Sequence, residues 1–119
     1  MKAYKLINTT NQTCDFVEGT IPPTMRFDAS YFFFQKHIED YEISAHPAPR
    51  YQFVITLKGK LRFTVSNGSS FIIEPGVVLI AADVEGEGHT WELLEGDLWE
   101  RIYIVPPSES PDHFLINTR

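Results

Sequence analysis

The chain has 119 residues, 43% apolar and 13% aromatic, with nine Phe. That is one domain's length with enough apolar mass for a single core, and its aromatic share leans toward strands. Ten Lys and Arg against sixteen Asp and Glu give a formal net charge of −6, which leaves no basic footprint for nucleic acid and disfavours an anionic membrane surface. One cysteine, Cys14, excludes an internal disulfide. No Cys or His stands near it at metal spacing, so it reads as an ordinary thiol. The first residues hold no signal-peptide core, and no apolar run is long enough to cross a bilayer. The expectation is a cytoplasmic protein.

Residues 1 to about 25 read as an irregular arm, because Pro22-Pro23 excludes a helix and polar residues dominate before it. Residues 30–38, "SYFFFQKHI", form an aromatic strand. It is apolar on both faces, so either Phe32 and Phe34 or Tyr31 and Phe33 line the interior. A strand with two apolar faces also points to a homodimer, one sheet packing on its copy. Residues 39–46 read as a turn and a short strand.

From Arg50 onward the period is two. Phe53, Ile55 and Leu57 alternate with Gln52, Val54 and Thr56, and Leu61, Phe63 and Val65 alternate with Arg62, Thr64 and Ser66. Lys58-Gly59 and Asn67-Gly68 read as hairpin turns, and Pro75-Gly76 as a further turn. Val77 to Ala82 is a short apolar strand. "HTWELLEG" and "LWERIYIVP" are two more strands, separated at Gly96-Asp97. Short strands with turns every eight to twelve residues, and no helical pattern, predict an antiparallel sandwich or small barrel. The tail from about 108 to 119 docks as a short element or pairs with another chain.

The chemistry concentrates at "HPAPRYQ" and "GEGH". His46, Ala48, Arg50, Gln52, Val54 and Thr56 share parity and point the same way unless the prolines introduce a bulge. A face carrying His, Arg and Gln in an apolar row is no plain core, since buried polar groups need partners.

These residues resemble the two motifs of the cupins, double-stranded β-helix or jelly-roll barrels, and in particular small single-domain bacterial members. His46 stands at the first His of the first motif, Ala48 at the second His, Gln52 at the Glu and Gly59 at the closing Gly. Gly76 opens the second motif, Ala82 and Val84 replace its Pro and Gly, and His89 arrives two residues late after "DVEGEG". The likeness runs from about residue 30 to 105. It implies an all-β cupin barrel over about 26–107 within a single domain, 1–119. It also implies a divalent transition metal (iron, manganese, nickel or zinc) held by His46, Gln52 and His89, or a site that has lost its metal; Asp83 matches no motif position and is a candidate further oxygen ligand only through its nearness to His89 in the chain. The family's activities are many, and the fold selects none of them.

Arg50, Gln52 and Trp91 are the candidate ligand-binding residues. The Arg50 fork suits a carboxylate or phosphate, or else an ion pair with Asp83 or a glutamate. Trp91 shares parity with His89 and supplies an apolar wall. Trp99 and Tyr103 are alternative lining residues. His46 and His89 are the candidate acid–base residues if no metal is present. Glu85 and Glu87 belong to a lid, or simply to a solvated acidic loop. His37 and His113 match no motif. The expected function is binding of a small polar or anionic metabolite, with metal-dependent isomerase, lyase or dioxygenase activity, or without catalysis as a binding module.

Overall fold

The sheet is organised by its two longest strands. The computed structural model describes residues 1–10, 12–38, 42, 44–108 and 110–117. Eight strands run in chain order: β1 (Lys2–Asn8), β2 (Cys14–Thr20), β3 (Tyr31–Gln35), β4 (Gln52–Val65), β5 (Ser70–Ile73), β6 (Val78–Ala81), β7 (His89–Val105) and β8 (Leu115–Ile116). They form one mixed, open sheet in the order β3-β7-β4-β6-β1-β2-β8, with β5 paired to β4. The β1–β6 pair is parallel and the other pairs are antiparallel. The all-β expectation holds. No helix among the described residues is long and apolar enough to cross a membrane.

Lys58-Gly59 is not a hairpin turn, and Gly96-Asp97 does not divide two strands. Both β4 and β7 run straight through. The register slips between Thr56 and Leu61, and Gly59 and Gly96 take φ of 111° and 91°, a region glycine enters without steric cost. The slip is a bulge, and a bulge moves the buried set to the other parity. Before it Val54 and Thr56 are buried; after it Leu61, Phe63 and Val65 are. The bent ribbon thereby turns both of its ends toward one core.

The arm read as irregular is a β-hairpin. β1 lies between β6 and β2, and its Tyr4 and Leu6 are buried in the main core. In the tail, Leu115 and Ile116 pair with β2 of the same chain. Of the short strand read at 39–46, residues 39–41 and 43 lie outside the described residues.

Cross-strand register sorts the two faces. On the inner face, Phe33, Tyr103, Val54 and Leu79 stand side by side and belong to the main core. On the outer face one row runs Phe32, Ile104, Phe53, Ile80, and the next runs Phe34, Ile102, Ile55, Val78. Phe33 is therefore the inward aromatic of β3, stacked on Tyr103 with ring centres 5.1 Å apart. Phe32 and Phe34 are exposed.

Candidate functional site

The two histidines meet. His46 and His89 form an isolated antiparallel bridge, each amide donating to the other's carbonyl at 3.1 and 2.9 Å. Gly88 makes this possible: its φ is 73°, and a Cβ there would fall 1.9 Å from the His46 carbonyl carbon. The "DVEGEG" segment is pinned rather than lid-like. Asn8 brackets Glu85 by accepting from its amide at 3.1 Å and donating to its carbonyl at 2.6 Å, and the Glu87 amide donates to Gln12 O at 3.1 Å. The Glu85 and Glu87 side chains are exposed, the solvated-loop alternative.

Both imidazoles line one cavity on the inner face, their ring centres 4.7 Å apart. His46 Nδ1 lies 2.8 Å from Ser44 O. A carbonyl can only accept, so Nδ1 carries the proton and Nε2 the lone pair of the neutral ring. His89 Nδ1 lies 2.6 Å from Asp83 Oδ2, and the carboxylate imposes the same tautomer. Neither Ser44 nor Asp83 lines the cavity, so both Nδ1 edges point away from it. Tying back Nδ1 to present Nε2 is the arrangement of metal-ligating histidines. Two imidazoles about 2.1 Å from one ion bring their ring centres within roughly 5–6 Å, and this pair satisfies that.

Asp83 is fully buried, and its Oδ1 has no hydrogen-bond partner among the described residues. Its Oδ2 also accepts from Cys14 Sγ at 3.3 Å. Cys14, Asp83 and His89 thus offer S, O and N ligand atoms within 4.8 Å of one another, a buried group that could hold a metal ion. Cys14 is no isolated thiol: sixty-nine residues of chain separate it from Asp83, and no local spacing reveals the contact. Burial, reinforced by the Asp83 charge, pushes its pKa well up, so an ion there must displace the thiol proton. The 2.6 Å contact between Asp83 and His89 is a hydrogen-bond length, shorter than two ligands of one ion normally keep.

Ala48, Gln52, Val54, Trp91, Trp99 and Tyr103 also line the cavity, as shared parity on β4 and β7 predicts. Arg50 does not. It is half-buried and donates from Nη1 to Gln52 Oε1 at 2.9 Å. It therefore holds the Gln52 amide oxygen and occupies one of its two lone pairs, while Asp83, its expected ion-pair partner, turns to His89 and Cys14.

Two residues escaped the sequence reading. Arg101 is 1% exposed and bonds Glu42 Oε1 at 3.0 Å. It also donates to Tyr103 Oη, Trp99 O and His37 O, and lies over the Trp99 ring at 4.3 Å. Glu42, 5% exposed, lines the cavity. Its parity with His46 was the available signal. His37 is exposed and His113 binds Arg26 O, both away from the cavity.

The cavity gives about 30 Å³ to the centres of water-sized bodies, room for roughly two waters. An ion with its water or a carboxylate-sized group fits; a sugar ring against Trp91 does not. Compared with known proteins, the chain matches no family model, no curated protein and no solved structure.

Proposed function

We propose that the chain is a small cupin-type domain whose cavity binds one divalent transition metal with its water or, in their place, the carboxylate-sized end of a small polar or anionic metabolite. The observation that carries this is the pair of cavity-lining imidazoles, each with Nδ1 engaged away from the cavity. His46 and His89 would hold iron, manganese, nickel or zinc, all of which suit imidazole with oxygen ligands. The remaining lone pair of Gln52 Oε1 and the Glu42 carboxylate are cavity-lining oxygens that would join them. The ion would supply Lewis-acid polarisation of a bound oxygen, chemistry open to isomerases, lyases and dioxygenases.

The chain's own residues supply the rest. Asp83 fixes the His89 tautomer, Trp91 and Trp99 exclude water, and Arg50 stands beside Gln52 as the cation for an anionic group. Without a metal, the Asp83–His89 pair is an oriented general base. A cytoplasmic setting agrees with the lone Cys14 thiol.

A second reading is a non-catalytic metabolite-binding module. It is favoured by Ala48, which offers no ligand atom, and by the Arg50 bond to Gln52.

Elemental analysis of chelator-free protein separates these. The expected result is near-stoichiometric metal in the wild type, lost in His46→Ala/His89→Ala and kept in Cys14→Ser. Loss in Cys14→Ser as well moves the ion to the Cys14–Asp83–His89 group. Wild-type protein that refuses all four metals sinks the metal reading and leaves the binding module.

A further inference from the structure

The outer face of the sheet is a surface in search of a cover. Its two cross-strand rows carry no charged residue from β3 through β6. Phe32 and Phe34 stand on it 60% and 68% exposed, on the strand that ends the sheet. From the neighbouring strand β7 across β4 to β6 runs a groove of about 190 Å³ lined by apolar side chains, among them Met1, Phe27, Phe53 and Ile104. An apolar cavity of about 150 Å³ accepts a benzene ring. Neighbouring strands are about 4.8 Å apart, so the exposed rings stand roughly 10 Å from the middle of the groove on β4, on the same face.

We infer that this chain forms a homodimer through that outer face, one of the exposed Phe32 and Phe34 rings of each copy seated in the apolar groove of the other and the second packed along its rim. A two-fold interface needs a surface complementary to itself, with knob and socket both present and apart, and this face has both. Size agrees. Aromatic side chains cover roughly 150–250 Å² each, so the two Phe at these exposures, with Met1, Leu57 and the half-buried isoleucines, offer roughly 500 Å². A standard interface covers roughly 800 Å² per copy, about 65% of it apolar in homodimers, which asks for the same apolar area. A net charge of −6 per chain opposes association elsewhere on the surface, so the uncharged face is where two copies can approach.

Sedimentation velocity on the full chain, from low to high micromolar, reads the result. The expected outcome is twice the chain mass for the wild type and the single-chain mass for Phe32→Glu/Phe34→Glu, with circular dichroism unchanged because both positions are exposed. Leu57→Glu, on the same face and 50% exposed, gives the same shift without touching β3. A wild type that stays monomeric throughout, or a dimer that survives both variants, overturns the inference and leaves the face for another protein or for none.

Discussion

The two faces of β3, β7, β4 and β6 are built from alternate residues of the same strands, yet they obey different rules. The outer rows are Phe, Ile and Val throughout, and hydrophobic burial is non-directional. The inner face encloses Arg101, Glu42, Gln52, Thr56, His89 and Asp83, none more than 6% exposed. Each of these polar groups needs partners at fixed positions, because an uncompensated one in low dielectric is costly. Trp99 Nε1, for example, donates to Thr56 Oγ1 at 3.1 Å in that interior. A sheet needing stability alone would look like its outer face on both sides. The inner face spends its best-buried positions on charges and imidazoles, the composition of a site.

The sharpest way to break this contrast is at Arg101. Arg101→Leu leaves the Glu42 charge buried without its guanidinium and strips a donor from Trp99 O and His37 O. Breaking a buried pair from one side costs about 3–5 kcal/mol. Urea unfolding should show that loss, with much of it recovered in Glu42→Leu/Arg101→Leu, since replacing both partners by apolar groups approaches neutrality. A single variant within about 0.5 kcal/mol of wild type, the usual range for surface changes, would mean the inner face tolerates change as the outer face does.

At Asp83 the contrast moves from stability to binding. Asp83→Asn keeps the shape but removes the carboxylate that sets the His89 tautomer. Removing the partner that orients a metal-binding histidine costs about 10–100-fold in metal affinity. On the metal reading, competition with a chromophoric chelator should show that drop while circular dichroism stays unchanged. Equal affinity in the two proteins would show that Asp83 does not orient His89.

The legible parts of the sequence were those whose partners are local in pattern. Period-two alternation located β4, and shared parity placed His46, Ala48, Gln52 and Val54 together, as it did His89 and Trp91. The aromatic run gave β3, though its facing was open because every residue but Gln35 is aromatic. What failed was long-range. β1 is a strand because β6 and β2 flank it, not because its seven residues demand it. Gly59 reads as a turn in isolation; only β7, running alongside without a break, converts it to a bulge. The Cys14–Asp83 contact and the Arg101–Glu42 pair span 69 and 59 residues, and no spacing rule reaches that far. His46 and His89 stood out in the sequence, and Asp83 only through its nearness to His89 in the chain; no motif pointed to Glu42.

The smallest predicted effect lies at the margin of the outer face, where Asp112 ties the C-terminal segment down. Its Oδ2 accepts from Lys5 Nζ at 2.6 Å and Tyr51 Oη at 2.9 Å, and its Oδ1 accepts from the Phe114 amide at 3.0 Å. Burial alone would raise the Asp112 pKa. The Lys5 ammonium, the Phe114 amide and the Tyr51 hydroxyl together overcome that and hold it below the usual carboxylate value. A depressed folded-state pKa adds stability that is complete above the unfolded value, about 4, and is lost as pH falls through the folded one. The wild type should therefore exceed Asp112→Asn by about 1 kcal/mol near neutral pH, the scale of a partly exposed pair with its hydrogen bonds. The gap should hold steady down to about pH 5 and close in more acidic solution, where the wild-type carboxyl is itself neutral. Denaturant unfolding of both proteins across that range measures it. A gap that persists undiminished in acid would mean that geometry at position 112, rather than its charge, fastens Phe114 and β8 to the sheet.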